Sequence, residues 1–142
     1  MESDRLEPQH AWIPLFLEPV SAGFPSPAEG YLEEILSLHD LVVKNPAATF
    51  FVRVSGSSME HAGIHPGDIL VVDRSLEPRN GHIVLAAVDG EVTVKRLLVT
   101  RGRALLVPEC DGGEPTELCE AQELSVWGVV THVVHAFQQH PR

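Results

Sequence analysis

Positive charge is scarce in this chain. Ten Lys and Arg stand against twenty Asp and Glu in 142 residues, giving a formal net charge of −10. A surface that tracks phosphates needs clustered Lys and Arg, so this balance argues against direct sequence-specific DNA binding. Long apolar runs are missing as well: nothing approaches the about eighteen consecutive apolar residues of a membrane span. The polar start Met1-Glu2-Ser3-Asp4-Arg5 is followed by no apolar core of a signal peptide, so a cytoplasmic protein is expected. Cysteine is limited to Cys110 and Cys119. Without a second pair or a well-spaced histidine, they imply two reduced thiols rather than a disulfide or half a metal site. No phosphate loop, repeat or low-complexity segment occurs, so no cofactor is expected. The length suits one domain that buries its own core, and 44% of the residues are apolar.

Proline divides the chain. Residues 1–36 read as an N-terminal arm, with Pro8, Pro14, Pro19, Pro25 and Pro27 among Trp12, Ile13, Leu15, Phe16 and Leu17. Proline fixes φ and biases its predecessor towards extended backbone, which suits a segment that enters a cleft by strand addition. Residues 37–142 read as a β domain with at most one short helix. That helix falls within 37–46, with Ser37 or Asp40 as its cap and Asn45-Pro46 as its end.

Strands are expected at 49–54, 69–72, 82–88, 91–99, 104–107 and 124–135, the last bulged at Gly128. Asp89-Gly90 is a two-residue hairpin signal, Arg101-Gly102 a further turn, and Asp68 and Asp73 shape turns. Trp127 is expected to pack a core or an interface. His132 and His135, three apart in a strand, fall on opposite faces, so no metal is expected.

The stretch with chemical promise is Ser55-Gly56-Ser57-Ser58-Met59, where an apolar strand gives way to a Gly-bearing turn. A serine hydroxyl is a weak nucleophile until a base takes its proton. The eight histidines (His10, His39, His61, His65, His82, His132, His135, His140) are scattered without a triad signature. Lys95 is the better base. Alternation puts it on one strand face with Thr93, Leu97 and Val99, where desolvation lowers an amine from its ordinary pKa of ~10.4.

Taken together, Ser-Gly-Ser-Ser-Met at 55–59, Gly-Ile-His-Pro-Gly-Asp-Ile-Leu-Val-Val-Asp at 63–73 and Val-Thr-Val-Lys-Arg at 92–96 resemble the core of the self-cleaving LexA/UmuD-type serine peptidases (S24 type). Ala22-Gly23 followed by Phe24-Pro25-Ser26-Pro27-Ala28 is similar to the scissile segment of the UmuD branch. The resemblance runs from about residue 15 to residue 137. It implies a mainly β, strongly bent and barrel-like sheet, with Ser58 as nucleophile, Lys95 as general base and Ala22-Gly23 as the bond cut. The backbone N–H groups of Ser58 and Met59 would form the oxyanion site.

It also implies a homodimer, stimulation by a RecA–single-stranded-DNA filament, and service to a UmuC-like Y-family polymerase in SOS lesion bypass. Signal peptidases share the Ser-Lys logic but carry an anchor and a Pro two residues after the Met, whereas Glu60-His61 follow Met59 here. Many UmuD-like chains have Cys before the scissile Gly; this one has Ala22, equally small. Only 22 residues precede the bond, too few for a DNA-binding domain, which disfavours a LexA-like repressor fragment. A non-catalytic dimeric binding module of the same fold, its arm a fixed strap, is the alternative.

Overall fold

The computed structural model describes residues 13–17, 19–23, 33–117 and 124–138. Trp12, Phe24-Pro25-Ser26-Pro27-Ala28 and Cys119 lie outside them. The chain separates into two units, Met1–Val42 and Val43–Arg142.

In the first unit, strand β1 (Ile13–Phe16) pairs antiparallel with β2 (Glu33–Leu36), Ile13 opposite Leu36 and Phe16 opposite Glu33. The extended backbone expected from the prolines is therefore organised as a ribbon. Pro14 is tolerated there because each strand of a two-stranded ribbon has a free edge. Helix α1 (Leu38–Val42) follows. Ser37 is its cap, its Oγ accepting from the Asp40 N–H at 3.3 Å. Asn45-Pro46 does not close this helix, which stops at Val42. It opens a 3-10 turn, Pro46–Ala48, where the ring costs no hydrogen bond.

The second unit is built on one antiparallel sheet. Its strands are β3 (Thr49–Arg53), β4 (Ile69–Asp73), β5 (Ile83–Val88), β6 (Glu91–Thr100), β7 (Arg103–Val107), β8 (Thr116–Glu117) and β9 (Leu124–Val134). Their order is β3-β4-β9-β5-β6-β7-β8. The mainly β expectation is borne out, but the sheet stays open rather than barrel-closed, because β3 and the two-residue β8 are its outer strands and do not pair. Asp89 (φ 51°) and Gly90 (φ 84°) turn β5 into β6, and Arg101 (φ 50°) and Gly102 (φ 75°) turn β6 into β7. Two successive left-handed residues give the twist that hairpin strands need.

Side chains alternate between two apolar clusters. Cross-strand pairs Val84–Lys95, Ala86–Thr93, Val84–Val129 and Leu97–Leu106 share one side, and Val84, Ala86, Leu97, Leu106 and Val129 pack there. Met59, Ile64, Leu70, Val72 and Leu85 form the other cluster. Each fully buried Leu or Val contributes about 1.5–3 kcal/mol.

The irregularity expected at Gly128 is present. Leu85 faces Gly128 while Ala86 faces Val126, leaving Trp127 as the extra residue of a bulge. A Cβ at Gly128 would lie 2.6 Å from Val72 Cγ1 and 3.0 Å from the Asp73 carbonyl oxygen, so glycine is what lets β9 approach β4. Asp73 shapes a turn as expected, accepting from Ser75 N–H (2.8 Å), Ser75 Oγ (2.6 Å) and Asn45 Nδ2 (3.0 Å).

Candidate active site

The end of β3 leads into the site. The Val54 N–H donates to the Asp68 carbonyl and the Gly67 N–H to the Val54 carbonyl, both at 2.8 Å, so the chain leaves the strand anchored. Gly56, at φ 87°, supplies a left-handed turn that a side chain would resist. Met59 then plunges into the cluster with Ile64, Leu70, Val72 and Leu85, 3% exposed. Its neighbour Ser58 is held at the surface by that anchor. The Met59 carbonyl also accepts from Ala62 (3.0 Å) and Ile64 (3.2 Å).

A second tie comes from the segment after β7. Glu109 N–H donates to the Ser58 carbonyl at 2.8 Å, and the Glu109 carbonyl accepts from His61 N–H at 2.7 Å. The Glu109 carboxylate is gripped by Arg96, Nε at 2.6 Å and Nη2 at 3.0 Å, while Arg96 Nη1 donates to the Gly81 carbonyl at 2.7 Å. The hydrogen bonds from Arg96 hold the Glu109 carboxyl below the usual carboxylate range. This planar, two-point grip is what a guanidinium offers and an ammonium does not. Arg96 thus braces the turn that carries Ser58, one residue from the candidate base.

Lys95 projects from β6 on the side expected. Its Nζ donates to Thr93 Oγ1 at 2.7 Å and to Ser58 Oγ at 3.2 Å. Burial pushes its ammonium below the ordinary value, with the nearby Cys110, a half-buried free thiol, pulling the other way. A lysine in this state gives up its proton more readily, and the same contact then runs in reverse, hydroxyl donating to amine.

None of the described histidines hydrogen-bonds Ser58. His61 lies 3.3 Å from Asp111, His82 Nδ1 accepts from Arg79 N–H at 3.0 Å, and His132 meets Thr131 at 2.9 Å. His65 and His135 flank Asp68.

Beside the serine and lysine runs a groove of about 260 Å³. Its walls are the end of β3 with the following turn (Val52 to Gly56, Ser58, Met59), the start of β6 (Val92, Thr93, Val94), and Ile64 and Leu85. The main chain of an outer strand next to such a groove suits an extended peptide, whose backbone adds to the sheet while side chains occupy the groove.

Ala22 and Gly23 sit in the first unit. Both are exposed, and the Gly23 N–H donates to Ser21 Oγ at 3.1 Å.

Sequence reasoning named Ser58 and Lys95, which the structure brings together, but not three features around them. Thr93 was expected on the face of Lys95 without its role as hydrogen-bond acceptor. The Arg96–Glu109 clamp and the Glu109 tie to Ser58 had no local signal, because they join residues far apart in the chain.

The model of the Peptidase S24-like family matches residues 14–131. Protein MucA of Salmonella typhimurium is 51% identical over 122 residues, covering 84% of this chain and 82% of its own. Protein ImpA of Escherichia coli is 51% identical over 122 residues, covering 86% and 83%. The LexA repressor of Hahella chejuensis is 38% identical over 129 residues, covering 90% of this chain and 64% of the repressor.

Proposed function

Since the chain belongs to the Peptidase S24-like family, among the UmuD homologues with MucA and ImpA, we propose that it is a serine peptidase that cuts its own Ala22-Gly23 bond. The observation that carries this reading is the 3.2 Å contact between Lys95 Nζ and Ser58 Oγ.

In this mechanism neutral Lys95 takes the hydroxyl proton as Ser58 Oγ attacks the Ala22 carbonyl carbon. The Ser58 and Met59 N–H groups stabilise the developing oxyanion. Collapse of the tetrahedral intermediate breaks the C–N bond, and Lys95 passes its proton to the departing Gly23 nitrogen. Residues 1–22 remain as an ester on Ser58 until water, deprotonated by Lys95, releases them and regenerates the serine. The product is 23–142. Thr93 orients the amine, and the small side chains at Ala22 and Gly23 leave room for the approach.

Latency requires that the arm rest mostly away from the groove. A RecA–single-stranded-DNA filament stimulates cleavage by binding the docked state better, since a ligand shifts an equilibrium only by its differential affinity. The processed chain acts in the cytoplasm as a homodimeric subunit of a UmuC-like, error-prone translesion polymerase in the SOS response.

Incubation with active filament followed by mass spectrometry tests the reading. Wild type is expected to give the 23–142 product, and Ser58→Ala and Lys95→Ala to stay intact. A non-catalytic binding module would leave all three alike.

A further inference from the structure

Away from the groove, three metal-ligating side chains converge on one point: His65 and Asp68 in the turn before β4, and His135 just past the end of β9. Their donor atoms all lie within 4.8 Å of one another. Asp68 is a buried carboxylate, 3% exposed, and burying such a charge is costly unless a cation compensates it. One oxygen, Oδ1, lies 2.6 Å from His135 Nδ1, and the other, Oδ2, accepts the His65 N–H at 2.8 Å. The imidazole rings of His65 and His135 have their centroids 4.9 Å apart and are tilted by 45°. His65 Nδ1 is the telling atom: it is enclosed, 3.8 Å from Asp68 Oδ2, and makes no hydrogen bond. A buried ring nitrogen left idle beside a buried carboxylate is unusual in a folded protein.

From this cluster we propose that His65, Asp68 and His135 bind one divalent transition-metal ion of the zinc class. Two imidazoles and a carboxylate are a donor set that such ions favour, and three protein ligands leave a position for water. Donors about 2.1 Å from a tetrahedral ion stand about 3.4 Å apart, so the 2.6 Å contact has to open by a fraction of an ångström. His135 is partly exposed, beyond the end of its strand. The site would clamp the end of β9 to the turn whose Gly67 and Asp68 backbone holds Val54 at the groove. It is independent of the peptidase chemistry.

The test is titration of the full chain with Zn²⁺ and with Co²⁺ near neutral pH. Calorimetry gives the stoichiometry and affinity, and visible absorption reports the geometry around Co²⁺. One saturable equivalent is expected, weakened at least about tenfold in His65→Ala and in His135→Ala and unchanged in His132→Ala and His61→Ala. His135→Ala alters an exposed position, so circular dichroism should match wild type even where Asp68→Asn perturbs folding. Binding that survives in both His65→Ala and His135→Ala, or no saturable binding to wild type, overturns the assignment.

Discussion

The Nζ of Lys95 lies 3.2 Å from Ser58 Oγ and 2.7 Å from Thr93 Oγ1, and among the described residues no carboxylate bonds it. That combination distinguishes it from an ordinary strand lysine. Two neutral hydroxyls orient the amine without fixing its charge, whereas a carboxylate partner would hold it protonated. Partial burial then tips the balance towards the neutral form.

Self-cleavage of purified protein without filament should rise as pH passes through the Lys95 value, which burial places below the ordinary ~10.4. Quantifying the 23–142 product from mildly acidic to alkaline pH checks this. A rate that does not change with pH removes Lys95 from the role of base.

Thr93→Val separates orientation from simple packing. Its hydroxyl accepts a hydrogen bond from the Lys95 ammonium, so losing it disfavours the charged form. The midpoint of the pH–rate profile should move to lower pH while the rate above it falls by about tenfold. A purely structural role for Thr93 would reduce folded protein and leave the midpoint unmoved.

Arg96→Gln leaves the Glu109 carboxylate without its two-point partner. Their side chains are 30% and 26% exposed, so the loss should be about 1–3 kcal/mol, read as a lower melting temperature. Cleavage should slow beyond what the unfolded fraction explains, because the Glu109 backbone holds the Ser58 turn.

Acid should find Asp73. Hydrogen bonds from Ser75, then from Asn45, outweigh burial and hold its carboxyl below the usual range. A carboxyl depressed on folding adds stability above its unfolded value of about 3.9 and loses it as pH falls through the folded value. Denaturant melts from neutral pH down to about pH 2 should decline over that window, and less steeply in Asp73→Asn.

Much of this was legible because it is local. Residues at i and i+2 share a strand face, which put Thr93 beside Lys95. The residue pairs Asp89-Gly90 and Arg101-Gly102 announced the hairpins, where both members take positive φ. A glycine inside an apolar strand announced the bulge at Gly128. What escaped is non-local. Arg96 finds Glu109 across the β6–β7 hairpin, and Asp68 finds His135 after a 67-residue separation, which no periodicity reports. Weighing His135 against His132 alone left out His65 and Asp68, the residues it meets. The openness of the sheet was also hidden, since closure depends on whether outer strands meet and not on any one strand's pattern.

Strand β9 is the last of the sheet to be made, yet it lies in the interior, and among the described strands it alone joins β3-β4 to β5-β6-β7-β8. A chain still emerging from the ribosome has the serine on one half and the lysine on the other, with nothing in the sheet to hold the halves in register. Within the sheet, the Ser58–Lys95 contact is therefore set in register only once β9 has been added, so the order in which the strands are made delays the meeting of these two side chains.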